Sequence, residues 1–332
     1  MKVVFIYRPN GPEYTELPLS NKDLLYHYEH YGVQFYASML PSSVTGAVIR
    51  SEIMHLYEQE INAADILMVD DYYYKENSEG ERIIRSAPGQ KIFLFHKYRR
   101  VDIELLAPQI PDYFDKAIMP MHKNLPIEHD ASVPLAFIPH VITPKHLEFE
   151  RLIIEEDIGD HIQEYADAVQ DHWIIGDRAQ VVGNEERDTT YLTPVLRELG
   201  LKSAAFCQLE VDVPVNFKGL DIAMPFLSRY EWAYIIRASL GCVNLRSLVS
   251  QGKTSLILAG EGINIGTPTA YQNMLFPEFI VNQDILTIEY WADVFTRADL
   301  KKKEAPDQAL IRLDHHSEIL TQEFRDFIGI SK

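Results

Sequence analysis

Cysteine is nearly absent. Cys207 and Cys242 are the two thiols of 332 residues, so the chain has no disulfide framework to rely on and a reducing compartment is expected. No apolar run approaches the roughly 18 residues that a membrane span requires. The opening Met1-Lys-Val-Val-Phe-Ile-Tyr7 meets Arg8-Pro9 too soon for a secretory apolar core, so a cytoplasmic protein is expected. Positive charge is scarce as well, with 31 Lys and Arg against 49 Asp and Glu for a net charge of −18. That balance disfavours a broad polyphosphate-binding surface, because nonspecific nucleic-acid affinity comes from neutralising phosphates. The most compact basic patch, Lys97-Tyr-Arg99-Arg100, reads as a solvated loop. Internal repeats and low-complexity tails are missing. His315 and His316 point in different directions on a helix, so no metal site is expected.

With 46% hydrophobic residues, a chain of this length can fill two ordinary cores. The first half reads as a βαβ series. Lys2–Tyr7 is a β-branched and aromatic run closed by the turn residues Arg8-Pro-Asn-Gly-Pro12, and Ser20–Tyr31 reads as a capped helix stopped by Gly32. Val33-Gln-Phe-Tyr-Ala37, Ile66–Asp70 and Lys91–His96 are further strand candidates, which implies a parallel sheet covered on both faces. Ligands bind outside the carboxyl ends of such strands. That rule singles out Arg8, Asn10, Asp70, Asp71, His96 and Lys97, with Tyr72-Tyr-Tyr74 as a stacking wall or an ordinary strand edge.

Two prolines in Leu135-Ala-Phe-Ile-Pro139-His-Val-Ile-Thr-Pro144 mark the exit from this domain, and an acidic stretch with apolar residues at helical spacing follows to Gln170. The second half opens with a strand at Trp173-Ile-Ile175. It runs into a glycine-punctuated turn carrying Arg178 and Arg187, where Gly lets the backbone approach a diphosphate and Arg offers a bidentate fork. Further on, Lys253, Thr254 and Ser255 fall at an expected helix start, bringing a cation, two hydroxyls and unpaired N–H groups to one spot suited to a diphosphate. Glu261 falls two turns later on that helix, where a carboxylate can accept two hydrogen bonds from vicinal ribose hydroxyls. Gly266-Thr-Pro268 reads as the helix stop, and Glu278–Asn282 as the next strand.

The segment Glu261-Gly-Ile-Asn-Ile-Gly-Thr-Pro268 resembles the donor site of GT-B glycosyltransferases, in which a Glu followed by small residues and Gly-x-Pro closes the helix. Many retaining members also carry an acidic residue eight positions earlier, and Lys253 stands there instead. By the same resemblance, Met224, Pro225 and Phe226 would meet the nucleotide base, and Lys91–Arg99 is similar in position to the strand bearing the catalytic carboxylate of phage DNA glucosyltransferases.

What the resemblance implies is an α/β protein of two Rossmann-like parallel-sheet domains facing a central cleft. Residues 1–144 would form the acceptor-side domain, 145–170 an interdomain helical segment, 171–307 the nucleotide-sugar domain and 308–332 a helix returning to the first domain. The implied reaction transfers a sugar from a nucleoside diphosphate sugar to a hydroxyl of a saccharide, lipid, protein or modified DNA base. His96 is the first candidate general base, with Asp70 and Asp71 behind it, and fixed cationic donors do the work of a metal. A nucleotide-sugar epimerase and a non-catalytic nucleotide-sugar-binding module are the competing readings.

Overall fold

In the computed structural model the chain is described at residues 1–7, 16–18, 31–70, 78–95, 110–120, 130–139, 143–144, 147–148, 151–152, 154, 160–175, 190–206, 219–224, 229–245, 257–268 and 270–330. The fold divides into two compact units. Unit 1 gathers Met1–His146 and His316–Lys332, and unit 2 gathers Leu147–Ser247 and Gln251–His315.

The sheet of unit 1 is built from β1 (Lys2–Tyr7), β2 (Glu16–Pro18), β3 (Thr45–Arg50), β4 (Ile66–Asp70), β5 (Gln90–Leu94), β6 (Lys116–Met119) and β7 (Leu135–Phe137). Their order is β2-β3-β1-β4-β5-β6-β7. All neighbours are parallel except β2, which lies antiparallel to β3 at the edge, where Pro18 breaks no central ladder. Val3 to Ile6 are fully buried, as an unbroken apolar run requires when helices cover both faces of a parallel sheet. One face packs Phe93 edge-on against Phe95 and Phe114, with ring centroids 5.0 and 5.1 Å apart.

The sheet of unit 2 has β8 (His172–Ile175), β9 (Lys202–Phe206), β10 (Ile222–Met224), β11 (Gly241–Asn244) and β12 (Asn264–Gly266), all parallel in the order β10-β9-β8-β11-β12. In chain order the helices are α1 (Tyr31–Ser38), α2 (Glu58–Asn62), α3 (Ser78–Ser86), α4 (Asp160–Ala168), α5 (Thr193–Glu198), α6 (Arg229–Ala238), α7 (Ala270–Leu275), α8 (Ile288–Lys301) and α9 (Ala305–Ile328). Trp291 and Phe295 of α8 meet in a tilted contact with centroids 5.8 Å apart, and Phe295 meets Trp173 of β8 at 4.9 Å. This fixes α8 to one face of the sheet.

Three sequence expectations need correction. Val33–Ala37 belongs to α1, not to a strand, and Gly32 lies within that helix. The buried positions Val33, Tyr36, Ala37 and Leu40 recur at helical spacing, which outweighs the local β-propensity. Glu278–Asn282 is not a strand: Pro277–Phe279 is a 3-10 turn, and a single bridge joins Ile280 to Gly266. Pro277 supplies the fixed φ that opens such a turn, and Arg312 of α9 draws Glu278 away from any ladder with a 2.8 Å ion pair. Finally, β3 and β6 are strands the sequence pattern did not reveal: β3 opens on Thr45-Gly46 and closes on Arg50, leaving only three apolar residues in its middle, and β6 has four residues of which the first is Lys116.

Within unit 1, the last part of α9 completes the core. Phe324 is fully buried and stacks on Tyr36 of α1 at 5.3 Å, while Arg325 Nε donates to the Met39 carbonyl at 2.7 Å. The Tyr36 hydroxyl donates to the Ile138 carbonyl at 2.9 Å, and its complete burial pushes the phenol well above its usual pKa.

Candidate functional site

In unit 2 the chain starts at β8, moves outward to β9 and β10, then returns to lay β11 and β12 on the other side of β8. The strand order therefore reverses between β8 and β11, the point at which open α/β sheets hold ligands outside their carboxyl ends. The two strands are hydrogen-bonded neighbours, with Val243 opposite Ile175, so the chain leaves them side by side at about the 4.8 Å spacing of a sheet. After β8 comes 176–189, with Arg178 and Arg187. After β11 and Leu245 comes 246–256, with Lys253, Thr254 and Ser255. These five residues, and Phe226, lie outside the described residues, whereas both departure points are described. Met224 ends β10 at the same edge and is fully buried.

Two further polar residues sit on this edge. Asn244 ends β11 and Thr267 follows β12, and both are buried. Gly266, in register with Asn244, allows the approach: a Cβ there would stand 3.0 Å from the Asn244 carbonyl oxygen and 3.1 Å from Gln272 Oε1. Gln272 of α7 ties this corner together. Its Nε2 donates to the carbonyls of Asn264 (2.9 Å) and Phe276 (3.0 Å), and its Oε1 accepts from Asn264 Nδ2 at 2.6 Å. A buried amide bonded on both sides holds strand end and helix rigid. The rule that selected polar residues past the strand ends of the first half, applied to the second, finds Asn244 and Thr267.

Glu261 is placed elsewhere, and its assignment as the ribose acceptor is corrected. The helical residues end at 259; Glu261 N–H donates to Leu258 O at 3.0 Å and Gly262 N–H to Ile257 O at 2.8 Å, the paired bonds of a Schellman stop. Residues 264–266 are then strand rather than helix, because the alternating Ile263 and Ile265 are buried and β-branched. Glu261 thus stands just before β12, at the amino edge of the sheet, opposite the carboxyl ends. Its side chain is 56% exposed and reaches an Arg151 guanidinium nitrogen at 4.0 Å. Its backbone has φ of 55°, a left-handed conformation that Gly adopts without penalty and other residues at a cost of about 1 kcal/mol. Glu261→Gly is therefore expected to stabilise the protein by up to about 1 kcal/mol, read as a rise in urea midpoint with nucleotide affinity unchanged. A lower midpoint would mean that the Arg151 pair outweighs the strain.

In unit 1 the order reverses between β1 and β4. Asp70 ends β4 there with 1% exposure, a buried carboxylate where these sheets place reacting groups. The Phe95 N–H donates to the Ile118 carbonyl at 2.9 Å, carrying the ladder one residue past β5 to the position before His96. His96, Asp71, Arg8, Asn10, Tyr72–Tyr74 and Lys97 lie outside the described residues.

Among the described residues no three His, Cys, Asp or Glu side chains gather where they could hold a metal. Burial pushes the Cys242 thiol far up, so it is inert. A groove of about 510 Å³ runs along α4 and α6, lined by Gln163, Asp167, Tyr234 and Arg237. It lies toward the end of α6 that leads into β11, at the amino edge, and the Tyr234 hydroxyl already donates to Gln163 Oε1 at 2.6 Å.

No protein-family model and no curated protein matches the chain. Solved structures do. An α,α-trehalose 6-phosphate synthase from Burkholderia multivorans superposes with a TM-score of 0.62 at 9% identity, covering 98% of each chain. A UDP-forming trehalose-phosphate synthase from Burkholderia xenovorans gives 0.60 at 10% identity, over 99% of this chain and 98% of that one. An α-glucosyltransferase in complex with UDP-glucose and DNA containing an abasic site gives 0.58 at 11% identity, over 99% of both. The chain has the GT-B glycosyltransferase fold of two parallel-sheet α/β domains.

Proposed function

We propose that this chain is a glycosyltransferase that moves a sugar from a nucleoside diphosphate sugar to a hydroxyl acceptor. The observation that carries the reading is the adjacency of β8 and β11 at the reversal of strand order. It starts the segments bearing Arg178 and Arg187, and Lys253, Thr254 and Ser255, from neighbouring positions on the carboxyl edge. The fold supports the same reading, since proteins of like fold are named for forming UDP or were solved with UDP-glucose.

In this mechanism the acceptor oxygen attacks the anomeric carbon and the bond from that carbon to the diphosphate breaks. The acceptor proton passes to a base in unit 1, from His96, Asp70 or Asp71. The diphosphate leaves with its negative charge held by Arg187, Lys253 and backbone N–H groups, fixed donors that need no metal at the moment of reaction. Met224 is buried beneath the strand end, so the base is met through backbone groups of the segment that follows it, which carries Phe226. The acceptor is a saccharide, lipid or protein hydroxyl ahead of a DNA base, given the net charge of −18. No helix among the described residues is long and apolar enough to cross a membrane, and we place the activity in the cytoplasm.

The test is to incubate the pure protein with UDP-, ADP- and GDP-linked hexoses and a panel of acceptors and to measure free nucleoside diphosphate. Acceptor-dependent release supports transfer. An epimerised sugar without release points to an epimerase, and binding without either points to a binding module. Arg187→Ala and Lys253→Ala are each expected to weaken nucleoside diphosphate binding about tenfold or more while leaving nucleoside binding nearly unchanged. Equal losses for the two ligands in calorimetry would mean that these side chains act through the fold.

A further inference from the structure

Where two helices pack, ridges of side chains on one fill the grooves of the other. Between α4 and α6 that filling is incomplete, and the furrow left there has a volume of about 510 Å³, within the range of about 300 to 1,000 Å³ for small-molecule sites. One wall is Gln163, Ala166, Asp167 and Gln170, at the i, i+3, i+4, i+7 spacing of a helix face. The other is Tyr234, Arg237 and Ala238, at i, i+3, i+4. Ala166 and Ala238 carry nothing beyond Cβ, so the seam stays open between polar side chains.

Part of this lining is fixed in advance. The Tyr234 hydroxyl donates to Gln163 Oε1 at 2.6 Å, and Gln163 Nε2 donates to Asp167 Oδ1 at 2.9 Å. The chain of bonds runs from one wall to the other, holds the phenol ring in place and orients the carboxylate, which can accept further bonds because each of its oxygens takes two. The Tyr234 ring is half-buried, an aromatic platform tied at its polar tip. Among the described residues the Gln170 amide makes no hydrogen bond, so its donors and its acceptor are open to a ligand.

We infer that this furrow binds an uncharged oligosaccharide, the Tyr234 ring lying against the C–H face of one sugar while Asp167, Gln170 and Arg237 exchange hydrogen bonds with its hydroxyls. Charge selects a neutral ligand. Asp167 and Arg237 offset one another, and both helices end here, α4 at Ala168 and α6 at Ala238, so the negative ends of two helix dipoles border the furrow and oppose a phosphate or carboxylate. The guanidinium opposes a cation. A hydroxyl donates and accepts at once, which suits a lining made of an acceptor-only carboxylate, a donor-only guanidinium and a two-way amide. The furrow lies at the amino edge of the sheet, opposite the carboxyl edge proposed for the nucleotide sugar, so it is a second site and does not depend on the donor reading.

The test is calorimetry and saturation-transfer NMR on the full chain with maltotriose, cellotriose and mannotriose, and with a neutral glycine–serine peptide for comparison. At least one trisaccharide is expected to bind wild type saturably. Tyr234→Ala and Asp167→Ala should each weaken that binding about tenfold or more, while Tyr234→Phe, which keeps the ring and gives up only its bond to Gln163, should lose less. Ala238→Leu removes no side-chain hydrogen bond and fills the furrow, so it should abolish binding, with unchanged circular dichroism excluding loss of the fold. Failure of all three trisaccharides to bind overturns the inference. Binding that survives both Ala238→Leu and Tyr234→Ala also overturns it, since the sugar then sits elsewhere, and so does tighter binding of the peptide. Each of these failures leaves the nucleotide-sugar reading of the carboxyl edge standing.

Discussion

Asp70→Asn is expected to lower sugar-transfer turnover by about a hundredfold or more while nucleotide-sugar affinity stays within about twofold. The carboxylate ends β4 beside the reversal of strand order and is almost wholly buried. Burying a carboxyl group is costly, and this one lies where sheets of this kind hold their reacting groups. Asparagine preserves the shape and one acceptor oxygen but cannot take up a proton, so the loss should appear in kcat and spare the dissociation constant of the donor. Turnover close to wild type in Asp70→Asn, combined with a large loss in His96→Ala, would assign the proton to the imidazole, which follows the end of β5 and changes charge nearer neutrality.

The second large effect concerns stability. Phe324→Ala should cost about 3 to 5 kcal/mol, the range for truncating a fully buried aromatic side chain. It removes the ring stacked on Tyr36 and leaves a cavity beside a phenol whose hydroxyl is committed to the Ile138 carbonyl. Denaturant unfolding should show a lower midpoint for the transition reported by unit 1. Phe324→Leu, which fills most of the volume, should lose clearly less. A loss below about 1 kcal/mol for the alanine variant would mean that the site collapses around the gap.

Much of this architecture was legible because buried parallel strands leave an unmistakable trace. Lys2–Tyr7 and Ile66–Asp70 are continuous apolar runs, and both are strands of the first sheet. Val33–Ala37 misled for a definite reason: β-branched and aromatic residues suggest a strand over five positions, while the i, i+3, i+4, i+7 recurrence of Val33, Tyr36, Ala37 and Leu40 becomes visible only over eight. Glu261 misled differently. A helix stop normally announces itself with glycine at the left-handed position, and here glutamate occupies it with glycine one residue later, so the sequence pattern ran the helix on through residues that form β12.

The partition of α9 has a consequence for the order of folding. Residues up to His315 are part of unit 2, and those from His316 onward are part of unit 1. A ribosome delivers a chain from its amino end at about 5 to 20 residues per second, and domains commonly condense in that order. Here the first 146 residues emerge without Phe324 and Arg325, which close the surface over Tyr36 and Met39. The unit encoded first is thus completed last, and until then the apolar ground around Tyr36 is the part of the nascent chain on which a chaperone has a reason to wait.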